Sequence, residues 1–352
     1  MSKLGLLFNG QLGFQTVKAY SDRAIVMQFI QTVTDLKKIE KGCVLTIGNY
    51  DGVHIGHQKV LTAAKKIATE KNVKLIMMTF NPHPLAFLHP QKAPDILTPL
   101  DLRKNLLADL GVDYRLVLKT NAELLKLSPE DFVDKYLVKT VQPCVVVEGD
   151  SFNFGSNRQG NVNILRDLGA KKGFEVVIIR AKEVKLSKGQ PVKISSTIIR
   201  NMLTEGKVSD VAIALGRPYR LIGQIIPGRG NGKELGFPTA NMQPPNQLIP
   251  AEGVYAGFVE IGNDFEQVCT ANKKIPAAFS IGRSRTYGDV LPLLIEAHLL
   301  SNSVGNLLNK WLAMDFIERI RSQEKFDSEE ALTRQIEKDC KKAKEILATN
   351  FW

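Results

Sequence analysis

The chain has 352 residues, of which 44% are hydrophobic and 24% charged, an ordinary composition for a soluble protein of two domains. It contains no run of 18 apolar residues, which excludes a membrane span, and its four cysteines are too scattered for a disulfide framework, which favours a reducing, cytoplasmic location. The net charge of +11 raises nucleic acid as a partner, but basic and acidic residues are interspersed, and an enzyme with polyanionic substrates fits equally well.

The first half alternates strand-like and helix-like segments. Residues 1–26 are expected to be a tail, with Met27 as an alternative start. Strands are predicted at 44–47, 73–80, 114–118, 144–147 and 175–179, and helices at 58–71, 99–110, 129–138 and 160–171. This β-α-β order predicts an α/β, Rossmann-like parallel sheet covered by helices.

The second half consists of short strand-like runs between Gly, Pro and Asn turns. They lie at 221–226, 254–261, 277–281 and 293–300 and predict a small antiparallel β-barrel. A terminal helix is predicted at 328–347, and 321–330 has the composition of a solvated helix face. The break between the halves falls near 205–219, so we expect a first domain at 27–204 and a second at 205–352.

The stretch GNYDGVHIGH at 48–57 follows the first predicted strand and leads into a helix that we expect to begin near Gly56 or His57. Backbone N–H groups and the positive end of a helix favour a bound phosphate. His54 and His57 lie on one face of its first turn, where imidazole N–H groups can donate to phosphate oxygens. The alternative is that both histidines only cap the helix and pack.

A second polar run, KISSTIIR at 193–200, is predicted to start another helix. Its hydroxyls, Ser195, Ser196 and Thr197, stand where phosphates bind, and Arg200 adds a fork-shaped donor one turn later. The alternative is an ordinary serine N-cap.

The second half has its own candidate phosphate site, GRGNGKELGFPTAN at 228–241. Its glycines allow the backbone to approach a phosphate chain closely, and Thr239 and Asn241 present oxygen ligands of the kind that Mg²⁺ bound to ATP accepts. A plain glycine-rich hairpin is the alternative. Glu296 lies in the otherwise apolar run 293–300. A buried carboxylate there would indicate a functional role, and the alternative is that Glu296 faces outward from an alternating strand.

Seven ordered segments resemble the bacterial bifunctional riboflavin kinase/FAD synthetase family over residues 27–345. They are LTIGNYDGVHIGH (45–57), FNPHP (80–84), GDSFNFG (149–155), ISSTIIR (194–200), GRPY (216–219), LGFPTAN (235–241) and GVY (253–255). The first segment contains the HxGH signature, His54-Ile55-Gly56-His57, which also occurs in class I aminoacyl-tRNA synthetases. Those enzymes carry a lysine late in their second motif, where this chain has Ser196 and Thr197.

The resemblance implies two reactions: ATP phosphorylates riboflavin to FMN, and a second ATP adenylylates FMN to FAD with release of pyrophosphate. It also implies that Glu296 is the base for the ribityl 5′-hydroxyl and that Thr239 and Asn241 help to coordinate Mg²⁺. We expect nucleotide contacts from Gly48, Asn49, Asp51, Gly56, Ser195, Ser196, Thr197 and Arg200 in the first half, and from Gly228, Gly232 and Gly236 in the second. His54 and His57 would stabilise charge during adenylylation.

The chain departs from the family pattern in three places. After His298 most relatives continue with an Asp-Phe-Asp type segment, whereas this chain reads LLSNSVGNLLNK at 299–310. Tyr50 stands where Phe is usual, and Ser151 replaces a commonly acidic position. Two alternatives therefore stay open: a monofunctional FAD synthetase with an impaired kinase half, and a basic RNA-binding or regulatory protein on the same fold.

Overall fold

The computed structural model describes residues 27–30, 41–181, 183–187, 189–227, 239–270, 273–283, 292–301 and 307–349. The predicted tail at 1–26 lies outside the described residues. Within the described ranges, no helix combines the length and apolar character needed to cross a membrane.

The first half is built on a six-stranded sheet in the order β1-β4-β3-β2-β5-β8, in which every neighbouring pair is parallel. Its strands are β1 (Gln28–Ile30), β2 (Val44–Ile47), β3 (Leu75–Asn81), β4 (Tyr114–Lys119), β5 (Val145–Gly149) and β8 (Glu175–Ile179). The central strand β2 is buried at all its positions because helices cover both faces of the sheet. The predicted parallel sheet is confirmed.

The first half contains seven α-helices among the described residues. They are α1 (Ile55–Glu70), α2 (Pro84–Leu88), α3 (Leu100–Asp109), α4 (Ala122–Lys126), α5 (Pro129–Phe132, continued by a π-helix at Val133–Val141), α6 (Val162–Lys172) and α7 (Ser196–Thr204). Apolar side chains of α1 and α3 lie on one face, and those of α5 and α6 on the other. Two short strand pairs lie beside the sheet: β6 (Asn153–Phe154) with β7 (Gly160–Asn161), and β9 (Glu183–Val184) with β10 (Val192–Lys193).

The second half is a closed antiparallel barrel, as predicted, with strand order β11-β12-β15-β14-β13-β16. Its strands are β11 (Tyr219–Ile226), β12 (Thr239–Met242), β13 (Gly253–Gly262), β14 (Ile275–Arg283), β15 (Leu293–Leu299) and β16 (Trp311–Arg321). Helix α9 (Phe265–Thr270) follows β13, and the terminal helix α10 (Glu329–Thr349) packs its apolar side against the outside of the barrel.

The predicted break at 205–219 holds a further helix, α8 (Val208–Leu215), whose side chains enter the barrel core. Leu97, Ile199 and Leu203 of the first half belong to the same core. The apolar core is therefore continuous across the break.

The prediction of a solvated helix face at 321–330 is wrong. Arg321 ends β16, and α10 begins only at Glu329. Tertiary contacts hold the intervening chain: the Arg321 guanidinium binds the Asp339 carboxylate at 2.7 Å, and Gln323 Nε2 donates to the Ser280 hydroxyl at 3.0 Å.

Candidate active sites

The first candidate site lies at the carboxyl end of the central strand β2. Helix α1 begins at Ile55, slightly before the predicted start, because His54 has extended backbone and is the N-cap. Its Nδ1 accepts a hydrogen bond from the N–H of His57 at 3.3 Å. His54 therefore does cap the helix, as the alternative interpretation predicted. The capping hydrogen bond uses only Nδ1, so the neutral ring carries its proton on Nε2 and can still donate from there.

The two histidines form a stacked pair in the wall of a cavity of about 300 Å³. Their ring centroids are 3.6 Å apart and their planes differ by 18°. Burial, followed by the charge of Arg217, lowers the pKa of His54 to about 4, and burial beside His54 lowers the pKa of His57 well below its usual value. Both rings are therefore neutral at pH 7. Among the described residues, His57 Nδ1 is buried with no hydrogen-bond partner.

Neutral burial of His54 makes the fold sensitive to acid. As pH falls below the unfolded pKa of 6.5, the unfolded chain takes up a proton that the folded chain resists until its pKa of about 4. We expect His54 alone to reduce the free energy of unfolding by about 2 kcal/mol between pH 7 and pH 5. Denaturant titrations at both pH values should show a smaller loss for His54→Gln than for the unchanged chain. Equal losses would contradict neutral burial.

The loop before α1 is anchored by Asp51, whose side chain is 11% exposed. Its Oδ1 accepts from Arg103 Nη2 at 2.7 Å and from the Thr98 N–H at 3.0 Å. Its Oδ2 accepts from Arg200 Nη2 at 2.6 Å and from the Leu97 N–H at 3.0 Å. Asp51, predicted as a nucleotide contact, thus has both carboxylate oxygens engaged in holding the loop.

Replacement of Asp51 by asparagine should destabilise the protein by about 3–5 kcal/mol, because it leaves two poorly exposed arginines without their counter-ion. Denaturant-induced unfolding measures this loss. The matched control is Asp167→Asn on the exposed side of α6, which should unfold like the unchanged chain. A stability change as small as that of the control would show that the network does not hold the loop.

The run KISSTIIR begins α7, as predicted. Ser195 is its N-cap, with Oγ accepting from the Ile198 N–H at 3.3 Å, so the N-cap alternative holds for this residue. Ser196 Oγ donates to the carbonyl oxygen of Asp51 at 2.8 Å. Thr197 is exposed, and Arg200, besides binding Asp51, donates from Nε to a backbone carbonyl at 2.7 Å.

The cavity brings together part of the predicted nucleotide set. Its wall contains Gly48, His54, Gly56, His57, Ser195 and Ser196, while Asn49, Asp51, Thr197 and Arg200 are not among its lining residues. Gly56 suits its position because a Cβ there would lie 3.1 Å from the His54 ring. The cavity therefore joins the ends of β2 and α1 to the start of α7.

The cavity wall also contains polar residues that were not predicted as site residues: Tyr50, Glu148, Asp150, Arg180 and Lys193. Burial raises the pKa of Glu148 well above its usual range, while hydrogen bonds from the Ile47 N–H and the Thr46 hydroxyl act in the opposite direction. The Glu148 carboxyl group accepts hydrogen bonds from the Ile47 N–H and the Thr46 hydroxyl. The Thr46 hydroxyl also contacts the hydroxyl of Tyr50. Lys193 pairs with Asp150 at 2.7 Å. A carboxylate directly after the apolar run 144–147 was the available sequence signal for Glu148.

The second candidate site lies on the outer face of two paired barrel strands, β12 and β15. Ala240 on β12 and Ala297 on β15 point into the barrel core, so Thr239, Asn241 and Glu296 face outward. In the register of this pair, Asn241 lies opposite Glu296, and Thr239 lies opposite His298. Thr239 Oγ1 and His298 Nδ1 are 2.9 Å apart. The strand pairing therefore brings the predicted metal ligands and the predicted base together.

Glu296 also borders a cavity of about 630 Å³ beneath the segment that joins β16 to α10. The wall combines apolar side chains (Leu294, Phe326, Leu332) with carboxylates such as Glu252 and Glu324. Thr239 and Asn241 are not among its lining residues. The carboxylate of Glu296 thus stands between a pocket large enough for a ring system and the predicted metal ligands.

Three predicted nucleotide contacts, Gly228, Gly232 and Gly236, lie outside the described residues. In the described ranges, no group of three or more His, Cys, Asp or Glu side chains is placed to hold a metal ion. The Thr239 hydroxyl and the Asn241 amide still fit a cation that keeps most of its ligands from phosphate and water, because Mg²⁺ prefers a few oxygen ligands from the protein.

Comparison with protein families gives one match for each half. The family model described as FAD synthetase matches residues 36–198, and the one described as riboflavin kinase matches residues 215–347. The two models fall on the sheet half and the barrel half respectively.

Curated relatives match nearly the whole chain. Proteins named bifunctional riboflavin kinase/FMN adenylyltransferase are 32% identical in Escherichia coli K12 (91% of this chain, 98% of the relative) and 36% identical in Bacillus subtilis 168 (88% and 93%). A solved structure described as a macrolide-efflux protein from Streptococcus pneumoniae matches with a TM-score of 0.76 at 27% identity and covers 92% of this chain and 99% of its own. That match shows that both halves occur together in another solved chain.

Proposed function

The chain belongs to the bifunctional riboflavin kinase/FMN adenylyltransferase family, and we propose that its barrel half phosphorylates riboflavin to FMN while its sheet half adenylylates FMN to FAD. The observation that supports this division is the presence of two separate cavities, one bordered by His54 and His57 and the other by Glu296. For the activities, we propose the boundaries 27–204 and 205–352, with 1–26 as a tail.

In the kinase step, the ribityl 5′-hydroxyl oxygen of riboflavin attacks the γ-phosphorus of ATP. The bond from that phosphorus to the bridging oxygen breaks, and ADP leaves with the electron pair. Glu296 accepts the hydroxyl proton, because it is a carboxylate on the cavity wall beside the proposed phosphate-binding strand. Since the phosphoryl group needs no covalent protein intermediate, positioning and charge neutralisation supply most of the catalysis.

ATP-dependent transferases of this family use a divalent metal, and we propose that it is Mg²⁺, held at the kinase site by Thr239 and Asn241. When bound, the ion would neutralise charge on the ATP phosphates. His298 orients the Thr239 hydroxyl through the 2.9 Å contact between Nδ1 and Oγ1.

In the adenylyltransferase step, a phosphate oxygen of FMN attacks the α-phosphorus of a second ATP. The bond to the pyrophosphate oxygen breaks, and pyrophosphate leaves with the electron pair, so no proton transfer is required. The neutral His54 and His57 rings donate N–H groups to the phosphate oxygens as charge moves, and the start of α7 adds the N–H groups and hydroxyls of Ser195 and Ser196.

The family matches favour this assignment over both alternatives. A monofunctional FAD synthetase is less well supported because the riboflavin kinase model matches residues 215–347, and the outer-face residues Thr239, Asn241 and Glu296 lie together. An RNA-binding protein is less well supported because each half matches an enzyme family. We propose a cytoplasmic location, supported by the four cysteines being free thiols.

Two separate assays test the proposal on the full chain. Riboflavin with ATP and Mg²⁺ should yield FMN and ADP, and FMN with ATP and Mg²⁺ should yield FAD and pyrophosphate. Conversion of FMN without conversion of riboflavin would support the monofunctional alternative. Salt-dependent RNA binding without turnover of either flavin would support the regulatory one.

A further inference from the structure

The backbone of the histidine loop, residues 48–54, is held by side chains from several other elements of the chain. Its carbonyl oxygens accept from Arg103 Nη1 (at Asn49, 3.1 Å), Ser196 Oγ (at Asp51, 2.8 Å), Arg217 Nη2 (at Gly52, 2.8 Å) and Gln58 Nε2 (at Val53, 2.8 Å). Arg217 differs from the other donors because it follows α8 and lies at the start of the barrel half.

The histidine loop needs such support because its backbone is unusual. Tyr50, Gly52 and Val53 have φ angles of 52°, 88° and 41°. A positive φ is rare for a β-branched residue, and Val53 is also fully buried. Backbone of this kind persists only where surrounding contacts determine it, and Val53 directly precedes the N-cap His54.

Arg217 joins the two halves under this loop. Its Nη1 lies 3.3 Å from the carbonyl oxygen of Leu215 at the end of α8, and Gln58 Nε2 on α1 bridges the carbonyl oxygens of Leu215 and Val53 at 2.8 Å each. Burial lowers the pKa of Arg217 to about 10, so its guanidinium stays charged at pH 7. Arg217 is not among the residues that line the nucleotide cavity.

We propose that Arg217 is a positioning residue for FMN adenylylation, supplied by the barrel half to the active site of the sheet half. Its Nη2 holds the Gly52 carbonyl group at 2.8 Å, and its Nη1 lies 3.5 Å from the Val53 carbonyl oxygen, so it keeps the His54 ring in the cavity wall. This inference rests on the proposed function. It makes FAD synthesis depend on a residue of the barrel half that the kinase step does not use.

The test uses full-length Arg217→Gln and Arg217→Lys. Because a small misplacement of a reacting group is costly, we expect Arg217→Gln to lower kcat for FAD formation from FMN by about 10–100-fold with little change in the KM for FMN. Arg217→Lys keeps the charge but has no forked donor, so we expect a smaller loss. Riboflavin phosphorylation by the same preparations should equal that of the unchanged chain, which makes the kinase an internal control for folding.

The matched control is Arg166→Gln, which removes an exposed arginine on α6 whose Nη2 donates to the side-chain oxygen of Asn163 at 3.2 Å. It should leave both activities unchanged. Parallel loss of both activities in Arg217→Gln, or full FAD formation, would overturn the inference. If Arg217→Gln does not fold, undiminished FAD formation by Arg217→Lys would overturn it, and a selective loss would support it. Failure of the unchanged chain to convert FMN to FAD would overturn the proposed function as well.

Discussion

Glu296→Gln should slow the formation of FMN from riboflavin by about 10²–10⁴-fold, the usual cost of losing a general base. The substitution keeps the shape of the side chain and its hydrogen-bonding capacity but removes the carboxylate that accepts the ribityl proton. Because Glu296 lies on the outer face of β15, opposite Asn241, the barrel core does not depend on its charge. FAD formation from supplied FMN should be unaffected, since that reaction occurs in the sheet half.

Glu324→Gln is the matched control for this variant. Glu324 is an exposed carboxylate on the wall of the same 630 Å³ cavity. It should retain riboflavin phosphorylation, which separates the loss of one particular base from a general change of charge in the pocket. FMN formation by Glu296→Gln at the rate of the unchanged chain would show that Glu296 is not the general base.

His57→Ala should reduce FAD formation from FMN by about 10²–10³-fold while riboflavin phosphorylation continues, because the variant removes a donor that stabilises charge on the ATP phosphates. His57 borders the nucleotide cavity and stacks on His54 with ring centroids 3.6 Å apart. Chromatographic separation of FMN and FAD measures both reactions in one sample.

Packing is the rival explanation for His57, since its ring centroid also lies 4.9 Å from that of Tyr50. His57→Asn retains an N–H donor and should recover part of the activity lost in His57→Ala. His89→Ala replaces an exposed histidine at the end of α2 and should behave like the unchanged chain. Equal loss of FMN and FAD formation in His57→Ala would indicate a folding role instead.

The parallel sheet could be predicted from sequence because strands buried on both faces are continuous apolar runs, as in β2 and β5. Strand β16 was missed because Asp315 interrupts its apolar pattern. The burial of Asp315 is made tolerable by tertiary partners: Arg220 binds the carboxylate through Nε and Nη2 at 2.7 Å each, and Lys274 Nζ lies 3.7 Å from it. Strand β12 was missed because it has only four residues and follows a glycine-rich segment.

In the candidate sites too, residues within short motifs could be predicted from the sequence, whereas contacts between distant segments could not. His54, His57, Ser195 and Ser196 stand in short motifs, and the structure places them in one cavity. The residues that hold those motifs in place, such as Arg103 and Arg217, come from other elements and were found only once the fold was known. Arg200 was predicted to bind phosphate from its position in a motif, but the motif gives no sign of its 2.6 Å contact with Asp51.

An equimolar mixture of the His57→Ala and Glu296→Gln chains tests the central claim most directly. Each sample receives riboflavin, ATP and Mg²⁺, and riboflavin, FMN and FAD are separated at successive times. We expect His57→Ala alone to accumulate FMN, Glu296→Gln alone to leave riboflavin unchanged, and the mixture to form FAD from released FMN. FAD formation from riboflavin by either variant alone at the rate of the unchanged chain, or no FAD from a mixture whose components each retain their own reaction, would contradict two successive reactions at two separate sites.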